Sequence, residues 1–160
     1  MHIEIVNPES VPLAVSLQEF KLHARITDTM QDDMILMYLS SAEDFIRRRR
    51  HIQLSKATVI VHLDDIDRTK TELILPIAPI VSCDGFNVYG GQVPRIKGDF
   101  SNVESVEVVA GYENIPASLK GAVLLLTSHW YENREDVSVV NLNKIPHGVE
   151  AMINHYGWSQ

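Results

Sequence analysis

Histidine and aspartate are the side chains of this sequence that could bind a metal ion. The candidate ligands are His129, His147 and His155 near the C-terminus and Asp64, Asp65 and Asp67 in the middle. None of them has a known ligand spacing, since there is no H-E-x-x-H motif, no pair of C-x-x-C motifs and no D-x-D-x-D-G calcium loop. We therefore predict no metal site, and interpret these groups as solvated or structural.

A nucleophile activated by a neighbouring base is the second kind of chemistry to consider. Ser128 and His129 are adjacent, but neighbours on a helix point about 100° apart and do not face each other. There is no G-x-S-x-G elbow, and Gly90 and Gly91 are not followed by the G-K-[ST] of a phosphate loop. Cys83 precedes an aspartate, whose charge raises the pKa of a thiol. We predict no catalytic residue, and a small enzyme of unknown reaction stays open as an alternative that would need a pocket joining distant polar groups.

The strongest charge feature is the run of four arginines, Arg47, Arg48, Arg49 and Arg50. One interpretation is a phosphate-binding patch of a DNA-binding module, which would bind DNA with a steep dependence on salt. The other is a helix C-terminus stabilised by cations that fan around the helix and pair with acidic neighbours, some of them on an adjacent chain. The chain has 14 Lys and Arg against 21 Asp and Glu, a net charge of −7, which favours the second interpretation.

The most distinctive string is H-W-Y-E-N-R-E, residues 129–135. It suits the end of a core helix, with Trp130 directed inward and Tyr131 at the rim. Trp, Tyr and Arg are also the residues most enriched in interface hot spots, so Arg134 is a candidate contact at a subunit boundary. The next segment carries Val137, Val139, Val140 and Leu142, and a loop seldom exposes so much aliphatic surface without a partner. We predict that these four side chains dock on a neighbouring subunit.

Helical patterns occupy both ends of the chain, within residues 16–52 and 116–157. Ser16 and Glu19 form an S-x-x-E capping box that starts a short helix. A long helix over residues 31–51 has one apolar stripe of Ile35, Leu39, Ala42, Phe45 and Ile46 and a second of Met30, Met34, Met37 and Tyr38, and therefore has two surfaces to pack against. Leu119, Val123, Leu126 and Trp130 mark the central core helix, and a last helix follows Pro146.

Residues 56–111 change to strand patterns separated by turn residues. Asp84 with Gly85, and Gly90 with Gly91, are hairpin-turn dipeptides between short apolar runs. The predicted fold is α+β: a mainly helical core into which an antiparallel β-meander is inserted, forming one domain over residues 1–160.

Composition adds three exclusions. A single cysteine rules out an intrachain disulfide framework. The longest purely apolar run, residues 122–126, is far shorter than the ~20 residues of a membrane span. No signal-peptide pattern is visible at the start, so we expect a soluble protein made in the cytoplasm.

The order of several segments resembles the small head–tail connector proteins of long-tailed bacteriophages, also called head-completion or adaptor proteins. The matching segments are residues 16–26 (SLQEFKLHARI), Asp32 with Asp33, Ala42 with Glu43, Gly111 with Tyr112, Ile115 with Pro116, residues 119–126 (LKGAVLLL), residues 129–135 (HWYENRE) and residues 145–150 (IPHGVE). The most specific part is H-W-Y-E-N-R-E followed about ten residues later by P-x-G-V-E. The resemblance covers nearly the whole chain and is weakest over residues 56–105.

The resemblance implies a structural protein without a catalytic site or cofactor. Such proteins form a ring, typically of about twelve subunits, beneath the portal of a DNA-filled head. The ring extends the DNA channel and presents a platform for the stopper or tail. The expected partners are therefore further copies of the chain, the portal protein and a stopper or tail-completion protein, with DNA passing through without sequence-specific binding. The expected location is the virion neck, and the host cytoplasm during assembly.

Overall fold

The computed structural model describes residues 1–133 and 146–158. Its helices are α1 (Leu17–Ala24), α2 (Asp32–Arg50), α3 (Asp65–Arg68), α4 (Ala117–Glu132) and α5 (His147–Ile153). Its strands are β1 (His2–Ile5), β2 (Ala57–His62), β3 (Glu72–Ile74), β4 (Ile80–Cys83), β5 (Val88–Tyr89), β6 (Arg95–Lys97) and β7 (Ser105–Ala110). The predicted α+β class is confirmed.

Helix α1 starts at the predicted capping box. The Ser16 N–H donates to Glu19 Oε2 at 2.7 Å, and the Glu19 N–H donates to Ser16 Oγ at 3.2 Å. These bonds satisfy two amides that the first turn of a helix leaves without partners. Val15 and Phe20, on either side of the cap, are both buried in the helical core.

The helical core forms where α2, α4 and α5 pack together. The predicted stripe of α2 is its inner face, and it packs against the apolar face of α4, which also packs against α5. The fully buried side chains are Ile35, Leu39, Ala42 and Ile46 of α2, Leu119, Ala122, Val123 and Leu126 of α4, and Val149 and Ile153 of α5. Burial of each large aliphatic side chain contributes roughly 1.5–3 kcal/mol, so this cluster is the main stabilising feature of the helical part.

The strands form two antiparallel sheets. The four-stranded sheet has the order β1-β2-β7-β4, and the three-stranded sheet has the order β3-β6-β5. In the central pair, Val59 lies opposite Val108 and Val61 opposite Val106. All four of these valines are buried in a second apolar cluster that also contains Phe100. Alternating burial along β2 gives this sheet one covered face.

The strand order differs from the predicted simple meander. β2 and β7 pair at the centre of the four-stranded sheet, although all three strands of the other sheet lie between them along the chain. The edge strand β1 comes from the N-terminal arm. The turn at Asp84 and Gly85 joins β4 to β5, which belong to different sheets, so it is not the turn of a hairpin. The turn at Gly90 and Gly91 does connect paired strands, β5 and β6.

Backbone hydrogen bonds join the helical part to the β part just after α2. The Gln53 N–H donates to the Ala78 carbonyl and the Ala78 N–H donates to the His51 carbonyl, both at 2.8 Å. On the other side, the Tyr112 N–H donates to the Leu54 carbonyl at 2.9 Å. The segment after α2 is thus held between two later parts of the chain. The single-domain interpretation stays a prediction.

Candidate interaction surfaces

Trp130 and two of the arginines that are candidate contact residues border one cleft. The Trp130 ring meets the Phe45 ring edge-on, with 6.3 Å between the ring centroids and 87° between the planes. Arg48 and Arg49 line the same open cleft, whose volume is about 690 Å³. The structure therefore brings together two sets of candidate residues that lie about eighty positions apart in sequence. A half-buried tryptophan beside arginines has the composition of an interface hot spot.

Tyr131 points away from this cleft and fixes the end of α4 to the start of α2. Its hydroxyl donates to Gln31 Oε1 at 2.8 Å. Its ring packs edge-on against Phe20 of α1, with 6.0 Å between the centroids. Tyr131 thus contributes to the fold within one chain, and its predicted role at a subunit boundary remains a proposal.

The first three arginines of the run make ion pairs with carboxylates of the same chain. Arg47 bonds the Asp44 carboxylate, and Arg48 Nε lies 2.7 Å from Asp44 Oδ2. Arg49 Nη2 lies 3.3 Å from Glu150 Oε1 of α5. The Arg48 side chain is nevertheless 79% exposed, so it is accessible to a second acidic group. Exposed pairs of this kind contribute only about 0–1 kcal/mol to stability.

Arg50 has a different role, because it binds the C-terminal segment through carbonyl groups. Its guanidinium donates to the carbonyls of Asn154 and Tyr156, both at 2.9 Å. The Arg50 carbonyl in turn accepts from the Trp158 N–H at 3.1 Å. The end of α2 and the segment after α5 are thereby held together.

The predicted second stripe of α2 is largely exposed. Met30, just before the helix, is 93% exposed and Met37 is 57% exposed, while Met34 and Tyr38 are half-buried. Leu36, which the sequence analysis did not place in the stripe, is also exposed. A protein in water gains stability when apolar surface of this kind is covered. The stripe is therefore a second candidate contact surface.

The remaining predicted interface residues lie outside the described part of the chain. They are Arg134, Val137, Val139, Val140 and Leu142. Their docking on a neighbouring subunit is a proposal.

A groove between the two sheets is a feature that the sequence analysis missed. It has a volume of about 770 Å³ and runs along β4 to β5, with Tyr112 and residues 155–157 on its far side. Val81 of β4 is 55% exposed at this groove. Nothing in a linear pattern indicates it, because the groove depends on which strands end each sheet.

The buried contact of Glu43 with the N-terminal arm is a second feature that was not predicted from the sequence. Its carboxylate accepts hydrogen bonds from the N–H groups of Ala14 and Val15, which tie the N-terminal arm to α2. Burial nevertheless raises the pKa of Glu43 to about 7, because desolvation outweighs those bonds and the nearby Arg47 charge. Its position four residues after Leu39 was the available signal, since it places Glu43 beside the buried stripe.

Two of the aspartates weighed as metal ligands have structural partners. Asp64 and Asp67 form the capping box of α3, in which the Asp67 N–H donates to Asp64 Oδ1 at 2.8 Å. Burial and the Asp84 charge raise the pKa of Cys83 to about 11. Within residues 1–133 and 146–158, no three His, Cys, Asp or Glu side chains are grouped closely enough to hold a metal ion. No helix in those ranges is both long and apolar enough to cross a membrane.

Comparison with known proteins gives one family and one recurring fold. The sequence model of the phage gp6-like head-tail connector proteins matches residues 14–79 and 92–156. Among solved structures, a chain of the "Virion of native gene transfer agent (GTA) particle" shares 24% identity at a TM-score of 0.78, covering 100% of this chain and 97% of that one. A chain of the "Neck of native GTA particle computed with C12 symmetry" has the same identity and coverage at a TM-score of 0.76. No curated protein matches significantly.

The family match leaves out β4, β5 and the two ends of the chain, including β1, and it includes all of α1, α2, α4 and α5. These are the elements that form the helical core and carry the Trp130 cleft. The matched part also contains the segments on which the sequence resemblance rested. The chain therefore belongs to the phage gp6-like head-tail connector protein family, and its function is that of a structural head–tail connector.

Proposed function

We propose that the protein works as a closed ring of about twelve subunits in the neck of a virion or phage-like particle. The observation that carries this proposal is the family match over most of the chain. The fold shared with a neck chain solved with C12 symmetry supports the subunit number. In this proposal the ring lies beneath the portal, extends the DNA channel and presents a platform for a stopper or tail protein. Assembly takes place in the host cytoplasm.

The surfaces that would join the subunits are those left uncovered on a single chain. The Trp130 cleft and the exposed α2 stripe lie in the helical part, which supports side-by-side packing of identical subunits. Such a contact is heterologous, and heterologous contacts generate rings when their rotation closes. In the proposed ring, Arg48, Arg49 and Arg134 make charged contacts across the boundary. The aliphatic residues Val137, Val139, Val140 and Leu142 dock on the adjacent subunit.

The net charge of −7 supports a role as a conduit. DNA has to slide through the ring, and a channel that neutralised many phosphates would hold it by counterion release. We infer that DNA contacts the ring without sequence-specific binding. Reversing the charge of the channel-lining carboxylates should impair DNA retention or ejection, and unchanged retention and ejection would remove the support for this role.

Native mass spectrometry over a wide range of protein concentration tests the ring. A closed species near twelve subunits is the expected result, either for the protein alone or after addition of purified portal rings. A protein that stays monomeric in both conditions would contradict the proposal.

Four simultaneous Ser substitutions at Val137, Val139, Val140 and Leu142 test the docking segment in the same assay. They should abolish or strongly weaken the ring, because burial of such side chains contributes roughly 1.5–3 kcal/mol each. An intact ring would show that this segment is not a subunit contact.

A further inference from the structure

The groove between the sheets has an uncovered strand edge on two sides. β4 is the last strand of the four-stranded sheet and β5 is the last strand of the three-stranded sheet. Residues of both strands line the groove, so among the described residues each edge borders it without a further strand. Such edges display N–H and C=O groups that can pair with an added strand.

The hydrogen-bond pattern shows which backbone groups of β4 point into the groove. The Asp84 N–H donates to the Glu107 carbonyl of β7 at 2.9 Å. Because neighbouring residues of a strand direct their backbone groups to opposite sides, the groups of Cys83, which lies opposite Val108, point away from β7. A bulge between Ile80 and Ser82 interrupts the ladder further along. The regular part of this edge is short and suits two or three paired residues.

The size and shape of the groove favour a single extended segment over a second sheet. Its volume of about 770 Å³ lies in the usual range of ligand pockets, roughly 300–1,000 Å³. Tyr112 and residues 155–157 form a wall, and Gln92 Nε2 donates to the His155 carbonyl at 2.8 Å to close one side. A segment of about six extended residues is roughly 20 Å long, and it can enter such a groove where a packed sheet cannot.

We propose that residues 137–142 of a neighbouring subunit enter this groove as an added strand. This inference rests on the proposed ring and names one of its subunit contacts. The segment VSVVNL is rich in β-branched residues, which suit a half-buried strand. Main-chain hydrogen bonds to the edges of β4 and β5 supply affinity, and the exposed Val81 offers apolar contact for the valines.

The direction of α4 favours a neighbouring subunit over the same chain as the donor. Ser118, at the start of α4, bonds the Tyr156 hydroxyl of the groove wall at 2.7 Å. Residue 134 follows the opposite end of this 16-residue helix, which is about 24 Å long. A segment that starts there must also return to Pro146, which leaves little chain to lie along its own groove. Donor and acceptor thus lie toward opposite ends of the subunit, as a head-to-tail contact requires.

A synthetic peptide of residues 134–145 tests the groove independently of ring formation. The receiver is the full-length protein with Val137, Val139, Val140 and Leu142 all changed to Ser, so that its own segment does not compete. Binding is followed by amide chemical shifts in NMR spectra. We expect saturable shifts at Cys83, Val88 and Tyr89, and at least tenfold weaker binding of a control peptide that carries the same four Ser substitutions.

A pair of matched receiver variants locates the contact. Val81→Lys places a charge in the groove and should weaken binding at least tenfold. Ile74→Lys changes another exposed strand residue that does not line the groove and should leave the affinity within about twofold. If Val81→Lys does not fold, peptides N-methylated at alternate residues replace it, and one of the two alternation patterns should lose binding.

The outcomes separate the inference from the ring. Rings of the unchanged protein in native mass spectrometry, together with a peptide that does not bind at millimolar concentration or binds elsewhere, would overturn the groove contact and leave the ring standing. A peptide bound in the groove supports the contact. If the unchanged protein then formed no ring even with the portal, the proposed function alone would fail.

Discussion

At the scale of single residues, Glu43 links the N-terminal arm to the long helix at an electrostatic cost. Its folded pKa of about 7 lies above the ordinary value of 4.5, so the folded protein binds this proton more tightly than the unfolded chain does. The favourable contribution of this proton to the free energy of unfolding is complete below about pH 4.5 and is lost as pH rises through about 7. A rise of about 2.5 pKa units corresponds to roughly 3 kcal/mol.

We predict that Glu43→Gln reduces this loss, because a neutral amide has no charge to desolvate. The free energy of unfolding of the variant, relative to the unchanged protein, should increase between pH 5 and pH 8 by up to about 3 kcal/mol. Denaturant unfolding at several pH values measures the difference.

Glu19→Gln is the matched control. The Ser16 N–H and Lys120 hold the pKa of Glu19 below its ordinary value, so the contribution of this carboxylate is present at neutral pH and is lost as pH falls. Its pH trend should therefore have the opposite sign. Parallel trends for the two variants would contradict the assignment of Glu43.

Cys83 gives a second prediction at this scale. Its pKa of about 11 leaves roughly 100-fold less thiolate at pH 8 than a thiol at the ordinary value of 9.0, and the thiolate is the reacting form. Alkylation by iodoacetamide at pH 8 should be at least about tenfold slower than in the urea-unfolded chain, as measured by mass spectrometry, since the greater nucleophilicity of a high-pKa thiolate offsets part of the loss. Equal rates in the two states would show that the thiol is not shielded in this way.

At the scale of elements, the junction between the helical part and the sheets depends on a close backbone contact at Gly111. This glycine has a φ of +108°, and a Cβ atom built there would lie 2.5 Å from the Ser55 carbonyl oxygen. Gly111→Ala should lower the free energy of unfolding by at least about 1–3 kcal/mol, since both the backbone angle and the contact become unfavourable. Thermal unfolding measures the loss.

Gly85→Ala separates the two causes. Gly85 also has a positive φ, +75°, but a Cβ atom there would have no neighbour within 4 Å. Its replacement should therefore cost only the strain of the backbone angle. If the two variants lost the same stability, the close approach at Ser55 would have no measurable effect.

The elements that could be predicted from sequence are those specified by near neighbours. The start of α1 follows from Ser16 and Glu19, and the inner face of α2 follows from its helical spacing, so both agree with the structure. The strand order could not be obtained in this way, because β2 pairs with β7 across more than forty residues. The Asp84 turn was misinterpreted for the same reason, since a turn dipeptide does not specify whether its two strands pair.

The candidate surfaces also divide into those that local spacing predicts and those that depend on contacts between distant parts of the chain. The sequence indicated Trp130 and the arginines as separate features, and only the packing of α4 on α2 places them around one cleft. The second stripe of α2 was predictable because it is periodic within one helix. The groove was not, since it exists only where the last strands of two sheets lie side by side.

At the scale of the whole molecule, an acidic protein carries its arginine run beside an aromatic cleft. Copies with a net charge of −7 repel one another at separations within about one Debye length. A local positive surface at the contact reduces this repulsion and so favours association. Arg48 and Arg49 supply this surface, and among the described residues each pairs with one carboxylate while its own side chain is more than half exposed. In a ring, they can also bind carboxylates of the adjacent subunit.

We predict that Arg48→Glu with Arg49→Glu raises the protein concentration needed for ring assembly at least tenfold, because two charges reverse at the proposed boundary.

The matched control is Lys56→Glu with Lys70→Glu, two lysines of the β part that also pair with carboxylates of their own chain. Each replacement changes the charge by two, so both double variants have a net charge of −7 − 4 = −11. Native mass spectrometry across a concentration series should show a smaller shift, of about threefold or less, for the lysine variant. Added salt should reduce the difference between the two, since it screens exposed charges. An equal shift in both variants would mean that total charge controls assembly and that the Trp130 cleft is not where the subunits meet.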